Sequence, residues 1–135
     1  MTLPQTRPKV AIVGASGYAG EDLVRLLLGH PRADLIAITS RQYAGQTLAR
    51  IFPKFSYFPQ AKHLRFTEPN AELLAKQAEI VFLALPHGVA AEFARPLLEL
   101  GCRVIDLSAD FRVKRPEIYQ EFYGHEHPAP ELLKD

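Results

Sequence analysis

The stretch KVAIVGASGYAG, Lys9 to Gly20, decides the fold. Lys9 to Val13 is a β-branched run that stops at Gly14, as a buried strand stops where its backbone must turn. A helical pattern follows from Tyr18 to Leu28, with Leu23, Val24, Leu26 and Leu27 gathered toward one face, and Gly29, His30 and Pro31 end it. Leu35 to Thr39 is a second β-rich run, which completes a strand, helix, strand unit of about 30 residues. Between the first strand and the helix lies a G-x-x-G-x-x-G loop, Gly14 to Gly20. In that position Gly14 takes the tight turn, Gly17 leaves room for phosphates to approach the backbone, and Gly20 lets the helix pack closely on the sheet. The free N–H groups of the helix start then face an anion, so the loop reads as the seat of a dinucleotide pyrophosphate. Gly14, Ala15, Ser16, Gly17 and Tyr18 are its expected contacts, with the Ser16 hydroxyl as an added donor. The loop does not end in Gly-Lys-Ser or Gly-Lys-Thr, which excludes a P-loop.

Further along, Tyr43 to Gln60 follows no single period and reads as a loop with at most one short helix around Gln46 to Ile51. His63 to Phe66 suggests a short strand, and Asn70 an N-cap for a helix to Gln77. Ile80 to Leu85 is apolar without alternation, as expected of a strand covered on both faces. Val89 to Leu100 predicts a helix with Val89, Phe93, Leu97 and Leu100 facing inward and a bend at Pro96. Arg103 to Leu107 is the last strand, and Pro116 to Phe122 a short helix in a proline-bearing tail. Alternating strands and helices define the expected fold class, a doubly wound, mostly parallel α/β sheet, in one domain spanning residues 1–135.

The exit of the second strand selects between dinucleotides, because an acid there suits the ribose 2′-hydroxyl of NAD whereas arginine suits the 2′-phosphate of NADP. It reads Thr39-Ser40-Arg41, without an acid, so Ser40 and Arg41 point to NADP. Asp34 precedes the strand and belongs at the wrong end of the sheet. Pro86 and His87 leave the next long strand at the same carboxyl edge and are expected to contact the cofactor, His87 without a catalytic role. Ser108 to Arg112 offers a hydroxyl, a carboxylate and a guanidinium at that edge, which a surface ion pair also explains. Cys102 opens a strand at the opposite end and reads as a buried small apolar residue. His125 and His127 lack a third spaced ligand, so no metal is expected.

Sixteen Lys plus Arg against 15 Asp plus Glu leave a net charge of +1, which shows no nucleic-acid footprint. The longest apolar run falls far short of the roughly 20 residues of a membrane span, and Met1 to Pro8 has no secretory character. A single cysteine suits a reducing compartment, so the expected location is the cytoplasm.

Four segments taken in order, Lys9 to Gly20, Thr39 to Gly45, Leu83 to Gly88 and Val104 to Arg112, resemble the N-acetyl-γ-glutamyl-phosphate reductase family and its lysine-pathway relatives. The resemblance covers the chain from Lys9 onward and corresponds to the first, NADP-binding part of a two-domain enzyme of arginine biosynthesis. It implies an oxidoreductase in which a cysteine thiolate attacks an acyl phosphate, phosphate leaves, and NADPH reduces the thioester to a semialdehyde. The family's nucleophile sits in an Asn-Pro-Gly-Cys segment that this sequence does not contain. The chain alone is therefore expected to bind NADPH without turning over the small-molecule substrate, with no catalytic residue of its own. It is also expected to self-associate through surface that the rest of such an enzyme covers, as a homo-oligomer. A stand-alone nucleotide-binding regulatory module is the competing reading.

Overall fold

Five strands form one parallel sheet: β1 (Lys9–Val13), β2 (Asp34–Thr39), β3 (Phe66–Thr67), β4 (Ile80–Leu83) and β5 (Arg103–Asp106). Their spatial order is β3-β2-β1-β4-β5. The chain thus begins in the middle, winds outward to one edge, and returns across β1 to build the other half. This reversal opens a crevice at the carboxyl ends of the inner strands. The computed structural model describes residues 7–86 and 89–107. The expected tail helix, the Ser108 to Arg112 cluster, His125, His127 and the residue pair His87 and Gly88 lie outside them.

Four helices connect the strands: α1 (Tyr18–Leu27), α2 (Leu48–Ile51), α3 (Ala71–Gln77) and α4 (Ala90–Glu99). Strand β1 shows why the sheet is wound on both sides. Val10 and Ile12 pack with Val24, Leu27 and Leu28 on one face, while Ala11 and Val13 pack with Leu74, Phe93, Ala94 and Leu97 on the other. All four of those β1 side chains are buried, so alternation of the backbone produces no alternation in the sequence. The same two-sided cover was expected of the strand after residue 80, but Ile80 and Phe82 are only half-buried. Helix α1 packs over β1 and β2 and leaves that part of its face less covered. Strand β4 also ends at Leu83, two residues before the apolar run does.

Other departures from the expected elements have local causes. Leu26 is exposed because Gly20, Val24 and Leu27 form the buried line of α1, and Leu26 stands 100° around the helix from Leu27. Leu100 is exposed because it caps α4 rather than belonging to its inner face. The segment read as a loop with at most one short helix around Gln46 to Ile51 has that helix as α2, and adds two 3-10 turns, Pro53–Phe55 and Pro59–Lys62, each opened by a proline. It folds around aromatic contacts rather than along a period: Phe52 meets Phe55 edge-on at 5.9 Å and lies 6.5 Å from Phe66. The expected strand at His63 to Phe66 shifts to Phe66–Thr67.

Strand β2 carries a register shift opposite Val10 and Ala11, whose partners are Leu35 and Ala37. Leu35 lies in a stretch of β2 that β3 does not reach, and the Gln60 side-chain amide donates to its carbonyl at 2.5 Å. The aromatic segment thereby closes a gap in the sheet's hydrogen bonding. Asn70 caps α3 as its position predicts, accepting from the Leu73 N–H at 3.1 Å. Among the described residues no helix is long and apolar enough to cross a membrane.

Replacing Asn70 with Ala leaves that N–H unpaired and is expected to lower the unfolding free energy by about 1 kcal/mol, measured as a reduced urea midpoint at constant slope.

Candidate functional site

The loop from Gly14 to Gly20 is held by β2. The Gly14 N–H donates to the Thr39 hydroxyl at 3.2 Å and the Ala15 N–H to the Thr39 carbonyl at 2.9 Å. Thr39 is completely buried, so both bonds are shielded from water. Gly14 has φ +83°, and a Cβ there would stand 2.5 Å from the Ala84 carbonyl oxygen. Conformation and space both demand glycine. Gly20 is constrained differently from the expected helix-on-sheet packing: its Cβ would collide with the Gly14 carbonyl and come within 2.6 Å of Ala15 Cα. It is the loop itself that the first turn of α1 must clear. Gly17, the N-cap of α1, has φ −81°, and a Cβ there meets nothing nearer than 3.9 Å. The space above Gly17 is open.

Two of the loop amides are therefore spent on Thr39. The helix ladder starts with the Glu21 N–H bonding to the Gly17 carbonyl, and Gly17 makes a long contact to Gly14. The N–H groups of Ser16, Tyr18, Ala19 and Gly20 have no acceptor among the described residues. Four donors converging at the start of a ten-residue helix suit a bridging anion. The Tyr18 side chain is 92% exposed, so Tyr18 joins this group through its backbone alone. Glu21 in the first turn brings a negative charge, but it is ion-paired with Lys54.

A cleft of about 300 Å³ opens beside the loop. Gly14, Ser16, Ser40 and Arg41 form one side of it, and Leu85, Pro86, Val89 and Phe93 an apolar wall. Gln42 and Pro69 complete its described lining, in which there is no carboxylate. The walls come from the carboxyl ends of β1, β2 and β4, brought together by the order of the strands. Ser16 and Ser40 share a hydroxyl hydrogen bond of 2.9 Å across it, and the Tyr43 N–H donates to the Ser40 oxygen at 3.3 Å. Arg41 is exposed at the rim.

The expected residues Gly14, Ser16, Ser40, Arg41 and Pro86 thus meet at one cleft. Ala15 is buried beneath the loop. Asp34 sits at the other end of β2, opposite Lys9, with Arg7 3.5 Å away. Cys102 is buried next to β5's amino end, with its thiol toward the Ala78 carbonyl at 3.6 Å and its pKa raised by desolvation. Thr39 was missed: as a β-branched residue at a strand end it looks like sheet, and only the neighbouring loop shows that its hydroxyl is used. The apolar wall was missed too, because Leu85, Val89 and Phe93 read as core.

A parallel doubly wound sheet with open amides at its first glycine turn defines a dinucleotide-binding domain. The chain belongs to the family described as semialdehyde dehydrogenase, NAD binding domain, which matches residues 9–132. It is 52% identical, over 94% of its length, to an N-acetyl-γ-glutamyl-phosphate reductase of Akkermansia muciniphila, of which it covers 37%. It is 46% identical, over 93% of its length, to a [LysW]-L-2-aminoadipate/[LysW]-L-glutamate phosphate reductase of Saccharolobus solfataricus, of which it covers 35%. The chain therefore spans about a third of these curated relatives. Its fold is shared by the aspartate semialdehyde dehydrogenase of Candida albicans, solved with NADP, at TM-score 0.64 and 22% identity over 81% of this chain and 32% of that one.

Two glycine variants separate binding from folding. Gly17→Ala is expected to leave stability within about 0.5 kcal/mol while blocking dinucleotide binding, whereas Gly20→Ala is expected to cost about 1–3 kcal/mol. Calorimetric titration and chemical denaturation of both variants check this. Cys102 is expected to resist iodoacetamide in the native chain at pH 8 and to react once urea unfolds it, read by mass spectrometry.

Proposed function

We propose that this chain is the NADP(H)-binding part of an N-acetyl-γ-glutamyl-phosphate reductase of arginine biosynthesis, an enzyme that reduces an acyl phosphate to a semialdehyde. The observation that carries the coenzyme reading is the set of unpaired amides on Ser16, Tyr18, Ala19 and Gly20, next to Arg41 and with no acid lining the exit of β2. The residues fit the group. The open space at Gly17 admits a diphosphate, the amides and the Ser16 hydroxyl donate to it, and Gly14 and Ala15 hold the loop in place. Arg41 meets the 2′-phosphate with a planar, permanently charged fork, and Ser40 lines the same cleft as Ser16 and Arg41. Leu85, Pro86, Val89 and Phe93 give an aromatic base an apolar wall that excludes water. His87, next in sequence after Pro86, is read as a contact of the coenzyme and not as a proton carrier.

When bound, the coenzyme supplies hydride. This chain's part is to orient it and keep its negative charges paired, which is work for backbone donors and one guanidinium. The acyl-transfer half of the reaction requires a nucleophilic thiol, and the one cysteine of these 135 residues is buried at the other end of the sheet. The chain by itself therefore binds NADPH without consuming acyl phosphate. The arginine-pathway reading of the substrate takes its support from the 52% identity to the Akkermansia muciniphila reductase alone.

Arg41→Ala tests the choice of coenzyme. It is expected to weaken NADPH binding about 10- to 100-fold, to leave NADH binding unchanged, and to leave the melting temperature where it was. Equal losses for the two coenzymes, measured by calorimetry, would remove Arg41 from the 2′-phosphate.

A further inference from the structure

Ser40 is 4% exposed, and its hydroxyl has one hydrogen to give and two lone pairs to fill. One lone pair is taken by the Tyr43 N–H at 3.3 Å. The remaining neighbour is the Ser16 hydroxyl at 2.9 Å, and geometry alone allows either of the two to donate. Burial decides between them. If Ser16 donated, the hydrogen of Ser40 would be left without an acceptor among the described residues in a buried place, which is costly. If Ser40 donates, its hydroxyl both gives its hydrogen and accepts one, and the hydrogen of the half-exposed Ser16 is released toward the cleft.

We infer that Ser40 is a positioning residue for Ser16, setting a one-way chain from the Tyr43 N–H through the Ser40 hydroxyl to the Ser16 hydroxyl, so that Ser16 presents its hydrogen to the coenzyme diphosphate. The inference rests on the coenzyme reading above and assigns Ser40 to the diphosphate rather than to the 2′-phosphate beside Arg41. Each member polarises the next, so the Ser16 hydrogen is a better donor than that of an isolated serine. The chain also ties the glycine loop to the turn after β2 by side chains, in addition to the backbone bond between Ala15 and Thr39.

The test is a double-mutant cycle on the full chain with NADPH as the ligand, read by calorimetry and by ³¹P resonances of the bound coenzyme. Ser16→Ala and Ser40→Ala are each expected to weaken NADPH about five- to tenfold, and the double variant to be no weaker than Ser16→Ala. Both single variants should move the diphosphate resonances and leave the 2′-phosphate resonance in place, and Ser40→Thr should restore affinity. Circular dichroism confirms the fold, and if Ser40→Ala is unfolded, Ser40→Cys keeps the volume while weakening the donor. Losses that multiply in the double variant, or a Ser40 variant that shifts the 2′-phosphate resonance alone, overturn the inference and leave the coenzyme reading intact. Failure of the unsubstituted chain to bind NADPH at all overturns the coenzyme reading and this inference with it.

Discussion

Thr39 holds the glycine turn. Its hydroxyl and its carbonyl accept the first two N–H groups of the loop, and its complete burial makes those bonds hard for water to replace. The consequences run in two directions. Downward, the turn is pressed onto β4, where Gly14 comes so close to the Ala84 carbonyl that no side chain fits. Upward, the next amides are left without partners and point where α1 begins. A site that spends two donors on its own architecture can offer the remaining four at low reorganisation cost, because the backbone that carries them is already fixed.

The polarity of a parallel sheet then sorts the chemistry of the whole domain. At the carboxyl ends stand Ser16, Ser40, Arg41 and the apolar wall of Leu85, Pro86, Val89 and Phe93. At the amino ends stand Asp34 with Arg7, and Cys102 beneath the Ala78 carbonyl. Asp34 shows the force of this sorting. Its distance in sequence from Gly14 suits an acid that binds a ribose, but it starts β2 instead of ending it, so the sheet carries it to the wrong side. Arg41, seven residues later, stands at the edge that carries the cleft.

Much of this was legible in the sequence, and the failures have physical reasons. The unit from Lys9 to Thr39 announces itself because a buried parallel strand must be apolar throughout and a strand-to-helix turn this tight must be glycine. The cap at Asn70 is local and therefore readable. The segment from Pro53 to Lys62 was not, since its order comes from Phe52, Phe55 and Phe66 meeting across the chain and from Gln60 completing β2, neither of which leaves a period. The half-covered face of β4 was misjudged because an apolar run reveals that a strand is interior but not which helix lies over it. Of the residues that line the cleft or hold its loop, those on the glycine turn and the strand exits could be named from the sequence. Thr39, Val89 and Phe93 were hidden because the same residue types build cores.

The separation of Cys102 from the cleft fits the division of labour that the proposed function implies. A thiolate nucleophile needs a cationic or hydrogen-bonding environment that lowers its pKa, whereas burial beside β5 raises it. A dinucleotide seat needs donors and positive charge, and a free thiolate placed among them would compete with the diphosphate for the same amides. Keeping these 135 residues to coenzyme binding, with their single thiol in the core, leaves the donors of the glycine turn to one anion. On the proposed reading the reacting thiol comes from outside these 135 residues, and it approaches the coenzyme from the carboxyl edge of the sheet, where β4 gives way to Leu85 and Pro86.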